Sequence, residues 1–342
     1  MERVYLITHP RSASNLLVQI LGLEEQPMVK ARPHAGYYFL ETLMFLGEKG
    51  LRAKHVDEWT EEEKTQARAM YNKGYNEMMK DVNESKAAGR ISVVKEHANI
   101  LLEPSSQTKF MFKTNDVKEA PLTLDVPQGS EIVRTPGNQT IFSDEFLLTW
   151  KPVFLIRHPA LMFPSFYRCM DDFRKMKKED IGTTGSLEAG KPDLPIYMSL
   201  HNIRSMFDWY SEKLQQIGSS STAQPWPIVI DADDVMADET VVQKLADIIG
   251  LDRNHLKFTW DPVSEEQSKK YDPMAKRMLS SLNASNGIMK DKLAANIDIE
   301  AEAPKWKAEF GEIDGDKIYK WVKEAMPDYA YLKSRRLTAY MC

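Results

Sequence analysis

Hydrophobic positions in this chain fall into short apolar runs separated by longer amphipathic stretches. Val4–Thr8 is apolar and partly β-branched, the pattern of a strand buried on both faces. It runs into Pro-Arg-Ser-Ala-Ser, after which residues Asn15–Leu23 place Leu16, Leu17, Ile20 and Leu21 at helical spacing. Thr60–Lys86 predicts a long charged helix, with Glu61, Glu62 and Glu63 in the first turn, where the helix dipole favours acids. Ile91–Lys95, Phe110–Lys113, Pro152–Ile156 and Ile228–Ile230 read as further short strands. Glu119–Asn138 is rich in Pro, Gly and Asp and predicts an irregular excursion. Ser199–Ile217 and Val241–Ile249 carry helical patterns, the second stopped by Gly250. Strands alternating with helices predict an α/β chain with a central parallel sheet and helices on both faces. No repeat, low-complexity tract or linker divides the sequence, so residues 1–342 are read as a single domain.

Composition narrows the partners. A content of 42% hydrophobic and 28% charged residues is that of an ordinary globular core. The net charge of −5 argues against bulk attraction to nucleic acid or to an anionic membrane, so any cationic site must be local. The two cysteines, Cys169 and Cys342, make neither a disulfide framework nor a metal-ligand spacing. The apolar run before Pro10 is too short for a signal peptide or a membrane span, and a cytoplasmic location is expected. The expected partner is a small molecule, with a homodimer left open.

Two segments carry candidate chemistry. In Thr8-His-Pro-Arg-Ser-Ala-Ser-Asn15 a strand feeds a short turn and a helix N-terminus, where free amides and the positive dipole end favour a phosphate or sulfate. Arg11 adds a permanent cation with fork geometry, Ser12 and Ser14 add hydroxyls, and Ser14 or Asn15 can cap the helix. The same turn also serves as an ordinary capped junction. Gly-x4-Gly-Lys-Ser/Thr is absent, so hydrolysis of ATP or GTP is poorly supported. In PVFLIRHPALMFPSFYR, Arg157 stands at the C-terminal end of a strand, where open α/β sheets bind ligands. Ser165 and Arg168 follow eight and eleven residues later, so one segment can present two guanidinium groups and a hydroxyl to one phosphate.

Together these segments resemble the P-loop sulfotransferases, and the wording of FLIRHPALMFPSFYR and MPDYAYLK looks most like fungal sulfotransferase-like proteins of secondary metabolism. The resemblance implies a P-loop NTPase-like sheet that binds 3′-phosphoadenosine 5′-phosphosulfate (PAPS) and releases 3′-phosphoadenosine 5′-phosphate (PAP). By that resemblance the loop Arg11, Ser12, Ala13, Ser14 and Asn15 receives the 5′-phosphosulfate. Arg157 and Ser165 receive the 3′-phosphate, with Arg168 beside them. Val93-Val-Lys-Glu-His97 resembles the Lys-x-His of cytosolic members, which makes His97 the general base and Lys95 its assistant at the bridging oxygen. Ile230–Leu251 and Trp306-Lys-Ala-Glu-Phe310 also resemble family segments. One departure stands out. The family precedes Trp-Lys-x-x-Phe with Arg-Lys-Gly, whereas here Asn296–Pro304 carries Asp298, Glu300 and Glu302 and no arginine.

Sulfuryl transfer mainly needs positioning and stabilisation of charge on the leaving group, by analogy with phosphoryl transfer. Arg11 and the loop amides suit that task. A histidine suits the proton, with His9 and His34 as rivals of His97, and His158 and His201 read as structural. Tyr37, Tyr38, Phe39, Met162, Phe163 and Phe166 are candidate linings of an apolar acceptor pocket fitted to a phenol or other small hydroxylated metabolite. Two alternatives stay open: acid–base elimination or cyclisation in the same pocket, and nucleotide binding without catalysis.

Overall fold

Five parallel strands in the order β2-β3-β1-β4-β5 organise the computed structural model, which describes residues 2–125, 132–175, 194–218, 226–295 and 297–339. The strands are β1 (Arg3–Thr8), β2 (Val29–Lys30), β3 (Ile91–His97), β4 (Lys151–Ile156) and β5 (Ile228–Asp231). Cys342 lies outside the described residues, as does Asn296. Alternation along the strands sorts side chains to two faces. Tyr5, Ile7, Val94, Phe154 and Ile156 pack with residues of the helices Glu61–Ala87, His201–Gln216 and Glu312–Lys333. Val4, Leu6, Val93, Val153 and Leu155 pack on the other face with α1 (Ser14–Leu21) and the helix Glu239–Ile249. Each such side chain withdrawn from water stabilises the fold by about 1.5–3 kcal/mol. The same alternation sends Lys95 to the face of α1 and Glu96 to the opposite one.

Helix boundaries follow their caps. Thr60 and Glu63 form a reciprocal capping box at the start of Glu61–Ala87, and Gly250, at φ 77°, ends Glu239–Ile249. The expected strand Phe110–Lys113 is a correction: Phe110 to Phe112 close the helix Pro104–Phe112, and Lys113 is its left-handed C-cap. The Glu103 carboxylate accepts from the Ser106 amide at 3.0 Å and Pro104 occupies the first turn, so local capping outweighs the brief apolar run. The two-residue strand β2 was too short to show in the hydrophobic pattern. Among the described residues no helix is long and apolar enough to cross a membrane.

Candidate active site

Register brings the chemistry together. β1 and β3 run side by side so that Thr8 stands opposite His97, and β4 flanks β1 on its other edge. The segments leaving β1, β3 and β4 at their C-terminal ends therefore open into one crevice. A cavity of about 750 Å³ fills it, bordered by Arg11, Ala13, Ser14, Asn15, His97, Arg157, Ser165 and Arg168.

The turn after β1 is strained. Arg11 and Ala13 both stand at φ 66°, in the left-handed region, which costs an L-residue about 1–2 kcal/mol. The first helical bond of α1 runs from the Leu17 amide to the Ala13 carbonyl at 3.1 Å, so the Ser14, Asn15 and Leu16 amides precede the ladder, an arrangement that suits an anion. Neither Ser14 nor Asn15 caps the helix: Ala13 is the N-cap residue and makes no side-chain cap bond. The Asn15 Oδ1 accepts from the Lys95 ammonium instead. Ser12 does not border the cavity; it is buried, and its amide donates to the His9 carbonyl at 3.1 Å. An Ala13→Gly variant is expected to gain about 1 kcal/mol of stability by relieving the left-handed φ. A denaturant midpoint at or below the wild-type value would contradict the strain.

Arg11 and the β4 segment interlock. Arg11 Nε donates to Ser165 Oγ at 3.0 Å, and its Nη1 donates to the Met278 carbonyl at 2.7 Å. Arg157 Nη1 donates to the Arg11 carbonyl at 3.3 Å and Nη2 to the Lys292 carbonyl at 2.9 Å. Burial, opposed by Asp233 and aided by Arg11, holds the Arg157 guanidinium below its ordinary range. Lys292 also borders the cavity, and burial, Arg157 and Arg11 lower its ammonium. These cations therefore crowd one region, an arrangement that favours an anion. Arg168 reaches the same cavity, but its Nη2 donates to Glu309 Oε2 at 2.7 Å.

The acids that stand where the family carries Arg-Lys-Gly are engaged with partners of their own. Asp298 caps the helix Ile299–Phe310. Glu300 accepts from the Tyr319 hydroxyl at 2.8 Å and pairs with Lys323, and Glu302 pairs with Lys305. Lys292 supplies the cation near Arg157 that the sequence pattern did not single out.

At the end of β3, Lys95 is fully buried and does not border the cavity. Burial, opposed by Glu96, lowers its ammonium to about 7. On the other face, burial raises the Glu96 carboxyl to about 8, although its Oε1 accepts from the Tyr38 amide at 2.6 Å. The Thr8 hydroxyl donates to the Glu96 carbonyl at 3.1 Å and lies 2.6 Å from His97 Nδ1. Its single proton is then spent, so Nδ1–H donates to Thr8 and Nε2 carries the free lone pair. Burial first, then Lys95 and His9, push the His97 imidazole well below its usual range.

The rival histidines are placed differently. His9 is buried with Nδ1 3.0 Å from the Pro10 carbonyl, lowered by burial to about 4, and does not border the cavity. His34 does border it. His158 Nδ1 accepts from the Ala160 amide at 3.2 Å, and His201 stacks on Phe110 at 5.4 Å.

Away from the cations the cavity is apolar. Of the expected linings, Tyr37 and Phe166 border it, whereas Tyr38, Phe39, Met162 and Phe163 pack in the core. The roof was missed: the helix Pro273–Asn283 turns Met274, Met278 and Leu282 into the cavity. Its spacing of four residues was the available signal.

No protein-family model matches the chain. The chain is similar to the sulfotransferase ppzF of Metarhizium rileyi, at 34% identity over 98% of this chain and 96% of that protein. It is likewise similar to the sulfotransferase ppzF of Metarhizium majus, at 34% identity over 98% of this chain and 97% of that one. A sulfotransferase domain from the Synechococcus PCC 7002 olefin synthase aligns over 93% of this chain and 94% of that chain, with 12% identity and a TM-score of 0.36.

Proposed function

Because this chain belongs to the sulfotransferase family, we propose that it moves a sulfuryl group from PAPS to a hydroxyl of a small aromatic or otherwise apolar metabolite. The observation that carries this reading is the interlock of Arg11, Arg157 and Ser165 beside the α1 amides, with His97 on the same cavity. The turn Arg11–Asn15 suits the 5′-phosphosulfate, and Arg157 with Ser165 suits the 3′-phosphate. Bound there, the nucleotide supplies an activated sulfuryl group. His97 Nε2 takes the acceptor's proton, Thr8 fixes the ring, and the apolar end of the cavity holds the acceptor away from water.

Isothermal titration with PAP tests the reading without an acceptor. One PAP is expected to bind per chain, more weakly as salt rises, because the contacts are ionic. Heat-silent mixing at two temperatures would leave the cavity to elimination or cyclisation chemistry and overturn the assignment.

A further inference from the structure

A second strained segment faces the Arg11 turn. His34, Ala35 and Tyr37 stand at φ 58°, 60° and 68°, all left-handed. Strain of this kind persists where the surroundings over-determine it, and it concentrates at functional sites. Gly36 permits the close approach to β3: a β-carbon there would stand 1.7 Å from the Lys95 carbonyl. The Tyr37 amide then donates to that carbonyl at 3.3 Å.

What this arrangement fixes is the Tyr37 ring. Lys95 Nζ lies 4.3 Å from its centroid, and the His97 imidazole meets it edge-on at 5.4 Å. Lys95 is thereby covered, and Tyr37 borders the cavity in its place. Ser14 and Asn15, which border the same cavity, act to lower the Tyr37 phenol. Burial and Glu96 nevertheless push the phenol up to about 12, so the proton is retained at neutral pH.

We propose that Tyr37 is a further catalytic residue, its hydroxyl donating a hydrogen bond to the bridging oxygen of the nucleotide as that oxygen leaves sulfur. The inference rests on the PAPS reading above. In the step, the acceptor oxygen forms a bond to sulfur while the bond from sulfur to the bridging oxygen breaks. The bridging oxygen keeps the electron pair and departs as part of the nucleotide's 5′-phosphate. The acceptor's proton goes to His97 Nε2, and Tyr37 keeps its own. The bridging oxygen is a poor acceptor in PAPS and a charged one in PAP, so the bond strengthens along the reaction.

That asymmetry sets the test. Tyr37→Phe is expected to weaken PAP roughly tenfold, the worth of a hydrogen bond to a charged group, while PAPS affinity stays within about threefold. Calorimetry with each nucleotide, in the absence of acceptor, reads both. A merely structural role would weaken the two equally, and that result, or no change in either, would overturn the inference while the wild-type chain still bound nucleotide. Wild-type chain binding neither nucleotide would remove the PAPS reading and this inference with it. Should Tyr37→Phe not fold, 3-fluorotyrosine at position 37 offers a near-isosteric, stronger donor. It is expected to tighten PAP and leave PAPS alone, and unchanged PAP affinity would sink the idea.

Discussion

His97→Ala is expected to lower kcat for sulfuryl transfer by roughly 10²–10⁴, the usual worth of a positioned general base, and to leave PAP affinity nearly intact. The geometry gives the reason. Thr8 holds Nδ1–H, so the ring presents Nε2 in one tautomer at the end of β3. Its burial and the neighbouring Lys95 disfavour the imidazolium, so the base is free at neutral pH. The acid limb of kcat/KM, which reports the free enzyme, is therefore expected below pH 6.5. His97→Gln keeps size and some hydrogen bonding but no basicity, and is expected to be similarly slow. Turnover of His97→Ala at the wild-type rate would shift the base to His34, the other expected histidine that borders the cavity.

Legibility in the sequence followed the range of the forces involved. β1, β4 and β5 were readable because parallel strands covered on both faces are continuously apolar, and Gly250 marked its helix end through a local backbone preference. Phe110–Lys113 was misread because three apolar residues carry no period, while the Glu103 cap and Pro104 settle the matter from outside the run. The meeting of Arg11, Arg157 and Ser165 on one cavity was readable residue by residue, since cations that follow strand ends form a recognisable pattern. Its wiring was not. That Lys95 bonds Asn15 and lies beneath Tyr37, or that Lys292 joins Arg157, depends on contacts between residues far apart in sequence. The roof helix Pro273–Asn283 was hidden for a related reason: one apolar stripe on a helix reads the same over a core as over a cavity.

Arg157→Ala is expected to weaken PAP by roughly ten- to a hundredfold, the equivalent of about 1.5–3 kcal/mol for a hydrogen bond to a charged group. Two effects add. The variant loses a guanidinium that has been desolvated in advance and lies beside the other cations. It also loses the brace, because Arg157 holds the Arg11 carbonyl and the Lys292 carbonyl at once. Without that fork the strained Arg11 turn and the segment carrying Lys292 are free to separate. Arg157→Lys is expected to recover little, since one ammonium on a flexible stem cannot span both carbonyls as a planar fork does. Arg168→Ala serves as the contrast: its guanidinium is already committed to Glu309 at the partly exposed rim, so its loss is expected to change PAP affinity by less than about threefold. Calorimetry on the three variants, each first shown by circular dichroism to be folded, separates charge from bracing. If Arg157→Ala bound PAP as tightly as wild type, the 3′-phosphate would have to sit elsewhere in the cavity. If Arg157→Lys restored affinity in full, charge alone would account for the site and the brace would be dispensable.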